Sequence, residues 1–209
     1  MVETGINYNI LKEQIEATRL SDDLGIGERE FAWIYRPGKP IKILPEPEYR
    51  GLAFLLAGAT NKNAVEFTPP KNTPATALIH NHPSSNVTPS YEDTVNFLRL
   101  MGTNPKLKYS IIAATRGGEV NGFLEMTYTG ERSAIPLEAI TDFYGALCEK
   151  RQKEIRERAD PGINWGECIF SLNELRKISI NIVAMAYLRL HFFAMPGYKR
   201  QGWKFVKYK

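Results

Sequence analysis

Apolar positions in the first 130 residues recur first at helical and then at strand spacing. Ile10, Leu11 and Ile15 share one side of residues 9–20, which predicts a short helix. Downstream segments that are rich in β-branched and aromatic residues, and bounded by prolines and glycines, predict strands. These are residues 28–36, 62–70, 76–82, 108–115 and 122–129. The last two are expected to pair across the turn between them.

A helix is predicted between the third and fourth of these strands, over residues 88–102. Thr88 is its expected N-cap, Pro89 is suited to the first turn, and Gly102 follows the last periodic residue. Strands and helices in this order around one core indicate an α/β or α+β protein, with a central mixed sheet flanked by helices.

After residue 130 the pattern changes to helical spacing. Apolar residues trace one face of residues 136–159, which predicts a long helix that ends at an Asp-Pro-Gly sequence. A second helix is predicted over residues 171–195, with a capping box at its start and a Pro-Gly pair after its end. His191 would lie on this mostly apolar helix and is expected to be a packed core residue.

Charge supports a division at the same point in the chain. Residues 1–130 hold 13 basic and 14 acidic residues, whereas residues 131–209 hold 14 basic and 9 acidic residues. We therefore expect a first domain over residues 1–130, followed by a basic, mainly helical C-terminal extension over residues 131–209.

The composition is that of a globular protein, with 43% hydrophobic and 24% charged residues. The N-terminus lacks a basic stretch followed by an apolar core, and Arg189 and His191 interrupt the longest apolar run. Cys148 and Cys168 follow no metal or redox spacing and are expected to be free thiols. These features favour a cytoplasmic protein that does not enter the membrane.

Two of the three histidines stand one residue apart at the end of a predicted strand. Because residues i and i+2 of a strand point to the same side, His80 and His82 can direct both imidazoles to one point. Asp93 lies in the following helix, which a short loop can fold back over the strand end. Two imidazoles and a carboxylate, with a fourth position left for water, form the ligand set of a catalytic zinc ion.

A hydrolytic zinc site needs two further groups. Ser90 lies three residues before Asp93, on the same helix face, where its hydroxyl can stabilise an oxyanion. A carboxylate must also take a proton from the zinc-bound water and pass it to the leaving group. The sequence therefore requires a glutamate that reaches this site from another segment.

The spacing of these residues resembles a known motif. His-x-His, seven residues, Ser, two residues and Asp is similar to the JAMM motif of the JAB/MPN zinc metalloproteases, and residues 80–93 resemble the RadC-like branch in particular. The resemblance covers about residues 9–130 and implies a cytidine-deaminase-like scaffold. It also implies His80, His82 and Asp93 as zinc ligands and Ser90 as the oxyanion-stabilising serine.

In this family the general base is a glutamate that lies upstream, early in a strand. Glu30 matches that place, in the segment that precedes Phe31 and Ala32. Glu28 lies two residues away on the same side of the predicted strand, and Glu66 lies on the strand before the histidines. The resemblance therefore implies Glu30 as the base and leaves Glu28 and Glu66 as alternatives.

The resemblance implies a hydrolase of peptide or isopeptide bonds whose substrate is a protein, a peptide or a ubiquitin-like conjugate. The alternative is a non-hydrolytic, RadC-like module that binds nucleic acid or protein. Residues 198–209 hold five basic and four aromatic residues and no acid, a pattern that suits single-stranded nucleic acid as well as a lysine-protected edge strand. We expect protein to be the favoured partner. The C-terminal helices could also form a docking platform or a homo-oligomer surface.

Overall fold

The computed structural model describes residues 6–17, 31–43, 76–83, 85–158 and 170–208. The described helices are α1 (Tyr8–Glu16), α2 (Tyr91–Thr103), α3 (Leu137–Arg158) and α4 (Leu172–Met185), with a 3-10 turn at Arg132–Ala134. The described strands are β1 (Ala32–Tyr35), β2 (Lys42–Ile43), β3 (Ala77–His82), β4 (Tyr109–Arg116), β5 (Glu119–Tyr128), β6 (Leu188–Ala194), β7 (Tyr198–Gln201) and β8 (Lys204–Lys207).

Six of these strands form one mixed sheet in the order β2-β1-β3-β4-β5-β6. β3 and β4 are parallel, because α2 connects them and returns the chain to the same end of the sheet. The other neighbours are antiparallel. β4 and β5 are joined by Gly117 and Gly118, which both have positive φ, as a tight hairpin turn requires. The prediction that these two strands pair is confirmed.

Helices cover both faces of the sheet. Leu78 and Ile112 point towards the face that packs against α2, α3 and α4. Ile79 and Ile111, one residue away on the same strands, point to the opposite face, which α1 covers. This alternation places the even-numbered residues of β3 on the side of α2. The architecture is therefore α+β, with a central mixed sheet flanked by helices, as the sequence predicted.

The prediction of a helix over residues 171–195 is wrong in its second half. α4 ends at Met185, the chain turns at Tyr187, which has a φ of 50°, and residues 188–194 form β6 at the edge of the central sheet. Leu190 and Phe192 pack on one face of the sheet, and Phe193 packs on the other. Leu188, Leu190 and Phe192 alternate with Arg189 and His191, so the period of two of a strand is present in the sequence. The helix prediction failed because Ala186, Leu190 and Phe193 also fit helical spacing.

The part of the chain after residue 130 contains strands as well as the predicted helices. Among its described residues, β6 extends the sheet that β1 to β5 form, and β7 and β8 form a separate hairpin. The change in charge near residue 130 therefore does not separate two sheets. His191 lies on β6 rather than on a helix, and its Nδ1 is 3.5 Å from Oε1 of the buried Glu125.

Other predictions for the described residues have mixed outcomes. The first helix begins after Asn7, whose side chain accepts hydrogen bonds from the Asn9 and Ile10 amides. The long helix after residue 130 is confirmed as Leu137–Arg158. Cys148 is a free thiol, whereas Cys168 and the strand predicted over residues 62–70 lie outside the described residues. None of the described helices combines the length and the apolar character needed to cross a bilayer.

Gly122 on β5 provides a test of how the C-terminal hairpin packs on the sheet. A Cβ at Gly122 would lie 2.6 Å from ring atoms of Phe205, which is 2% exposed. We expect Gly122→Ala to lower the free energy of unfolding by about 1–3 kcal/mol, the usual cost of overpacking, in urea denaturation. The matched control is Gly145→Ala in α3, where a Cβ meets nothing within 4 Å. It should be neutral or stabilise by up to about 1 kcal/mol. Equal midpoints for both variants would contradict this packing.

Candidate metal centre

His80 and His82 occupy the carboxyl end of β3. Their cross-strand partners on β4 are Ile112 and Ala114, which belong to the core on the side of α2. Both imidazoles therefore point towards that helix, as the strand periodicity predicted. His80 is 3% exposed, and the side chain of His82 retains 16% exposure. The pair is thus largely shielded from solvent, with some access on the side of His82.

Asp93 lies in the first turn of α2, where a capping box holds it. The Ser90 hydroxyl oxygen accepts from the Asp93 amide at 3.0 Å, and Asp93 Oδ2 accepts from the Ser90 amide at 2.7 Å. The helix therefore begins at Tyr91 with Ser90 as its N-cap, and the prediction of Thr88 as N-cap is wrong. Ser90 is the cap because its partner three residues later can complete a reciprocal pair, which Tyr91, three residues after Thr88, cannot do.

The three side chains converge on one point. Nε2 of His80 lies 3.0 Å from Nε2 of His82 and 3.1 Å from Asp93 Oδ1, while Nε2 of His82 lies 3.6 Å from Asp93 Oδ2. Two ligand atoms that each lie about 2.05 Å from a tetrahedral zinc ion are separated by about 3.3 Å. The observed separations lie on both sides of this value. The described residues thus contain a group of two imidazoles and a carboxylate that could hold a metal ion.

The hydrogen bond on the other ring nitrogen of His82 favours the tautomer that a metal needs. Nδ1 of His82 lies 3.0 Å from the Asn86 carbonyl oxygen, which can only accept, so Nδ1 carries the hydrogen. In the neutral imidazole, Nε2 is then left with a lone pair that points at His80 and Asp93. A backbone carbonyl behind a histidine is a usual outer support of a metal ligand.

Electrostatics keep the Asp93 carboxylate ionised. Burial by itself would raise the pKa of Asp93, but the charges and hydrogen bonds of His80 and His82 outweigh it and hold that pKa well below its usual range. The pKa of the neighbouring Glu92 shifts in the opposite direction. Its pKa is raised, chiefly by burial and also by the Asp93 charge, although hydrogen bonds, including one with Ser90, partly offset this. The ionised form of Asp93 is therefore favoured while the two rings carry positive charge, and a bound cation would supply that charge in their place.

Asn81, which lies between the two histidines in β3, forms hydrogen bonds that connect the end of this strand to Thr115 on β4 and to Phe31. It is fully buried, and its Nδ2 donates to Thr115 Oγ1 at 3.2 Å. Its Oδ1 accepts from the Phe31 amide, and its own amide donates to the Phe31 carbonyl at 3.2 Å. Asn81 was not among the predicted site residues. The signal that could have identified it is a polar residue between two histidines in an apolar strand.

Hydrogen bonds from β4, β5 and α4 hold the loop between β3 and α2. Ser85 has a φ of 57°, unusual for a residue other than glycine, and its amide donates to the Thr115 carbonyl at 3.1 Å. Asn121 Nδ2 donates to Ser85 Oγ at 2.6 Å. From α4, the Ser179 hydroxyl donates to the Pro89 carbonyl at 2.6 Å. The loop that sets the position of α2 relative to β3 is therefore fixed by the sheet and by α4.

The structure brings together three of the predicted site residues and places a fourth beside them. His80, His82 and Asp93 form the candidate metal centre, and Ser90 adjoins it as the cap of α2. The three alternatives for the general base lie outside the described residues; they are Glu30, Glu28 and Glu66. His191 takes no part in the site, since it pairs with Glu125 on β5.

Comparisons with known proteins leave the family of this chain open. No family model matches it, and no curated protein matches it. Among solved structures, the ORF273 protein from the Acidianus two-tailed virus aligns over 97% of this chain and 94% of its own, with 13% identity and a TM-score of 0.34. That similarity is too low to support an argument about fold or function.

Two substitutions test the candidate ligand Asp93 and the helix cap Ser90 separately. Asp93→Asn keeps an oxygen that accepts from the Ser90 amide but loses the negative charge, so bound zinc should fall from about one per chain to well below one. Ser90→Ala removes the cap and should lower the free energy of unfolding by about 1 kcal/mol while leaving zinc in place. Metal analysis after dialysis and urea denaturation measure the two effects. Zinc retained by Asp93→Asn would show that Asp93 is only a capping residue.

Proposed function

We propose that this protein is a zinc metalloprotease of the JAB/MPN type that hydrolyses peptide or isopeptide bonds. The observation that carries the proposal is the convergence of both imidazoles and the Asp93 carboxylate at the end of β3. His80 Nε2 lies 3.0 Å from His82 Nε2 and 3.1 Å from Asp93 Oδ1, and His82 Nε2 lies 3.6 Å from Asp93 Oδ2. Three protein ligands of this kind leave one position of a tetrahedral zinc ion for water, as catalytic rather than structural sites do.

The donor set fits zinc, and each residue has a defined role in holding it. Nε2 of His80 faces His82 and Asp93, and His82 has its Nδ1 occupied by the Asn86 carbonyl, so each would present Nε2. Asp93 Oδ1 would complete the set, because Oδ2 already accepts from the Ser90 amide. When bound, zinc would supply a water molecule with a pKa lowered from about 15.7 to about 7, and would polarise the scissile carbonyl.

Ser90 is proposed as the group that stabilises the oxyanion. Its backbone and side chain both contact Asp93, so its hydroxyl is fixed within one helical turn of the candidate ligand. A hydroxyl group in this position can donate to the carbonyl oxygen of a substrate, in exchange for its present interaction with Glu92. Removing one such donor typically lowers kcat by about 100-fold to 1000-fold.

Glu30 is proposed as the general base. Its place in the sequence is two residues before Ala32, and Ala32 pairs with His80 between the antiparallel strands β1 and β3. In the strand that the sequence predicts over residues 28–36, Glu28, Glu30 and Ala32 share a side, which supports both glutamates for the same reason. Glu66 remains the third alternative. A base in this role takes a proton from the nucleophilic water and donates it to the leaving amine.

The order of the elements supports the same family. The histidines close β3, α2 follows with the third ligand, and the chain then enters the parallel strand β4, with helices on both faces of a mixed sheet. We propose that this arrangement is the cytidine-deaminase-like scaffold that the motif implies. The substrate is proposed to be a protein or peptide, with a ubiquitin-like conjugate as one form of it.

Nucleic acid is the less favoured partner for the C-terminal segment. Stacking on bases requires exposed aromatic rings. The Tyr198 hydroxyl donates to Glu119, Trp203 packs edge-on against Phe192, and Phe205 is 2% exposed. Only Tyr208, at 60%, is an exposed aromatic residue among those described in this segment. The rings needed for stacking are therefore largely used within the protein.

The decisive variant is Glu30→Gln, which removes a base and leaves the three metal ligands unchanged. We expect zinc content equal to the wild type and a loss of hydrolysis of at least about 100-fold, since general base catalysis contributes that much or more. The assay uses a panel of peptides and ubiquitin-like isopeptide conjugates with the zinc-loaded protein. Equal cleavage by wild type and Glu30→Gln would refute the assignment of Glu30.

Glu28→Gln and Glu66→Gln are the matched controls, because each removes one carboxylate of the same type. If either of them, rather than Glu30→Gln, abolishes cleavage while zinc is retained, the base is that residue. If zinc-loaded wild-type protein cleaves nothing in the panel, the hydrolytic proposal fails for that substrate class and the non-hydrolytic alternative gains support.

A further inference from the structure

The hairpin of β7 and β8, residues 198–207, lies directly against the loop of the candidate metal centre. The Val87 amide donates to the Trp203 carbonyl at 2.8 Å, and the Phe205 amide donates to the Ser85 carbonyl at 3.2 Å. Between these two bonds, Asn86 forms an antiparallel bridge with Lys204. Residues 85–87 of the loop thus pair with β8 in the way that a short antiparallel strand does.

Asn86 connects this short strand to the metal ligand. Its carbonyl oxygen accepts from Nδ1 of His82 at 3.0 Å. Its side chain Oδ1 accepts from the Thr88 amide at 3.2 Å and from the Thr88 hydroxyl at 2.8 Å, which fixes the turn that follows. The backbone of Asn86 is therefore oriented both by its own side chain and by the hairpin, and it in turn orients the imidazole of His82.

Phe205 anchors the hairpin to the sheet. Its ring lies over Gly122 of β5, so close that a Cβ there would be 2.6 Å from the ring. The Arg200 guanidinium stacks 3.5 Å from the centre of the Phe192 ring on β6, and the Tyr198 hydroxyl donates to Glu119 at 2.9 Å. These side-chain contacts hold the hairpin against β5 and β6, in addition to its backbone bonds to the loop.

We propose that the C-terminal hairpin is a positioning element for the metal centre, which acts through Asn86 to hold His82 with Nε2 directed at the ion. The inference rests on the proposed zinc site and assigns a role in it to a segment that the motif does not include. The chain of contacts is Phe205 on Gly122, the hairpin on residues 85–87, and the Asn86 carbonyl on His82. Loss of an outer partner of this kind typically weakens metal binding by about 10-fold to 100-fold.

The first test is Phe205→Ala in the intact 209-residue chain. Zinc affinity is measured by competition with a chromophoric chelator, and the ligand geometry is followed by the visible absorption spectrum of the Co²⁺-loaded protein. We expect zinc affinity to fall by about 10-fold to 100-fold, with a changed Co²⁺ spectrum. Tyr208→Ala is the matched control, because it truncates an aromatic residue beside the same hairpin that is 60% exposed. It should bind zinc as the wild type does.

The second test does not disturb the core, and it can refute the path through Asn86 even if Phe205→Ala fails to fold. Asn86→Ala removes the side chain that fixes the turn, whereas Asn86→Ser retains an oxygen that can accept from the Thr88 amide. We expect Asn86→Ala to weaken zinc binding by about tenfold and Asn86→Ser to restore most of it, with circular dichroism unchanged. Rescue by serine would not be expected if Asn86 were merely tolerated at this position.

The outcomes distinguish the positioning role from the metal centre itself. If the wild type binds zinc and the folded Phe205→Ala and Asn86→Ala proteins bind it equally well, the hairpin does not position the site, although the proposed metal centre stands. If the wild type itself binds neither Zn²⁺ nor Co²⁺, the metal centre is refuted, and the positioning role falls with it. Weakened binding in both variants, with retention in Tyr208→Ala, establishes the role.

Discussion

The geometry of the candidate metal centre depends on the junction between the carboxyl end of β3 and the first turn of α2. His80 and His82 are brought to one side by the strand, and Asp93 is brought opposite them by a helix whose start the same carboxylate helps to define. Three polar groups in a mostly buried place would be costly if they were left without partners. Here each compensates the others, since the histidines keep the pKa of Asp93 low and the carboxylate lies within 3.1–3.6 Å of both rings.

This junction is supported by parts of the chain that are distant in sequence. Ser179 on α4 donates to the Pro89 carbonyl, just before the cap of α2. The neighbouring strands β4 and β5 hold Ser85 in its left-handed conformation. The hairpin closes the other side of the loop through Trp203 and Phe205. The geometry of the candidate site therefore depends on α4, β4, β5 and the C-terminal hairpin as well as on the motif segment.

Local sequence patterns predicted features that depend on the geometry of one strand, helix or turn. They did not predict features that depend on contacts between distant segments. The spacing of His80, His82 and Asp93 predicted their convergence, and paired glycines marked the turn between β4 and β5. By contrast, residues 188–192 alternate between apolar and polar as a strand does, but the apolar residues around them also fitted helical spacing, and pairing with β5 decides between the two. The link from Phe205 through Asn86 to His82 spans more than a hundred residues, and it leaves no local pattern that a reader of the sequence could recognise.

X-ray absorption at the zinc edge, on the intact chain loaded with one equivalent of zinc, tests the metal centre most directly. We expect a four-coordinate ion with nitrogen and oxygen ligands at about 2.0–2.1 Å and the multiple-scattering signature of two imidazoles. A sulfur shell at about 2.3 Å, or a first shell without imidazole, would show that His80, His82 and Asp93 do not bind the ion together.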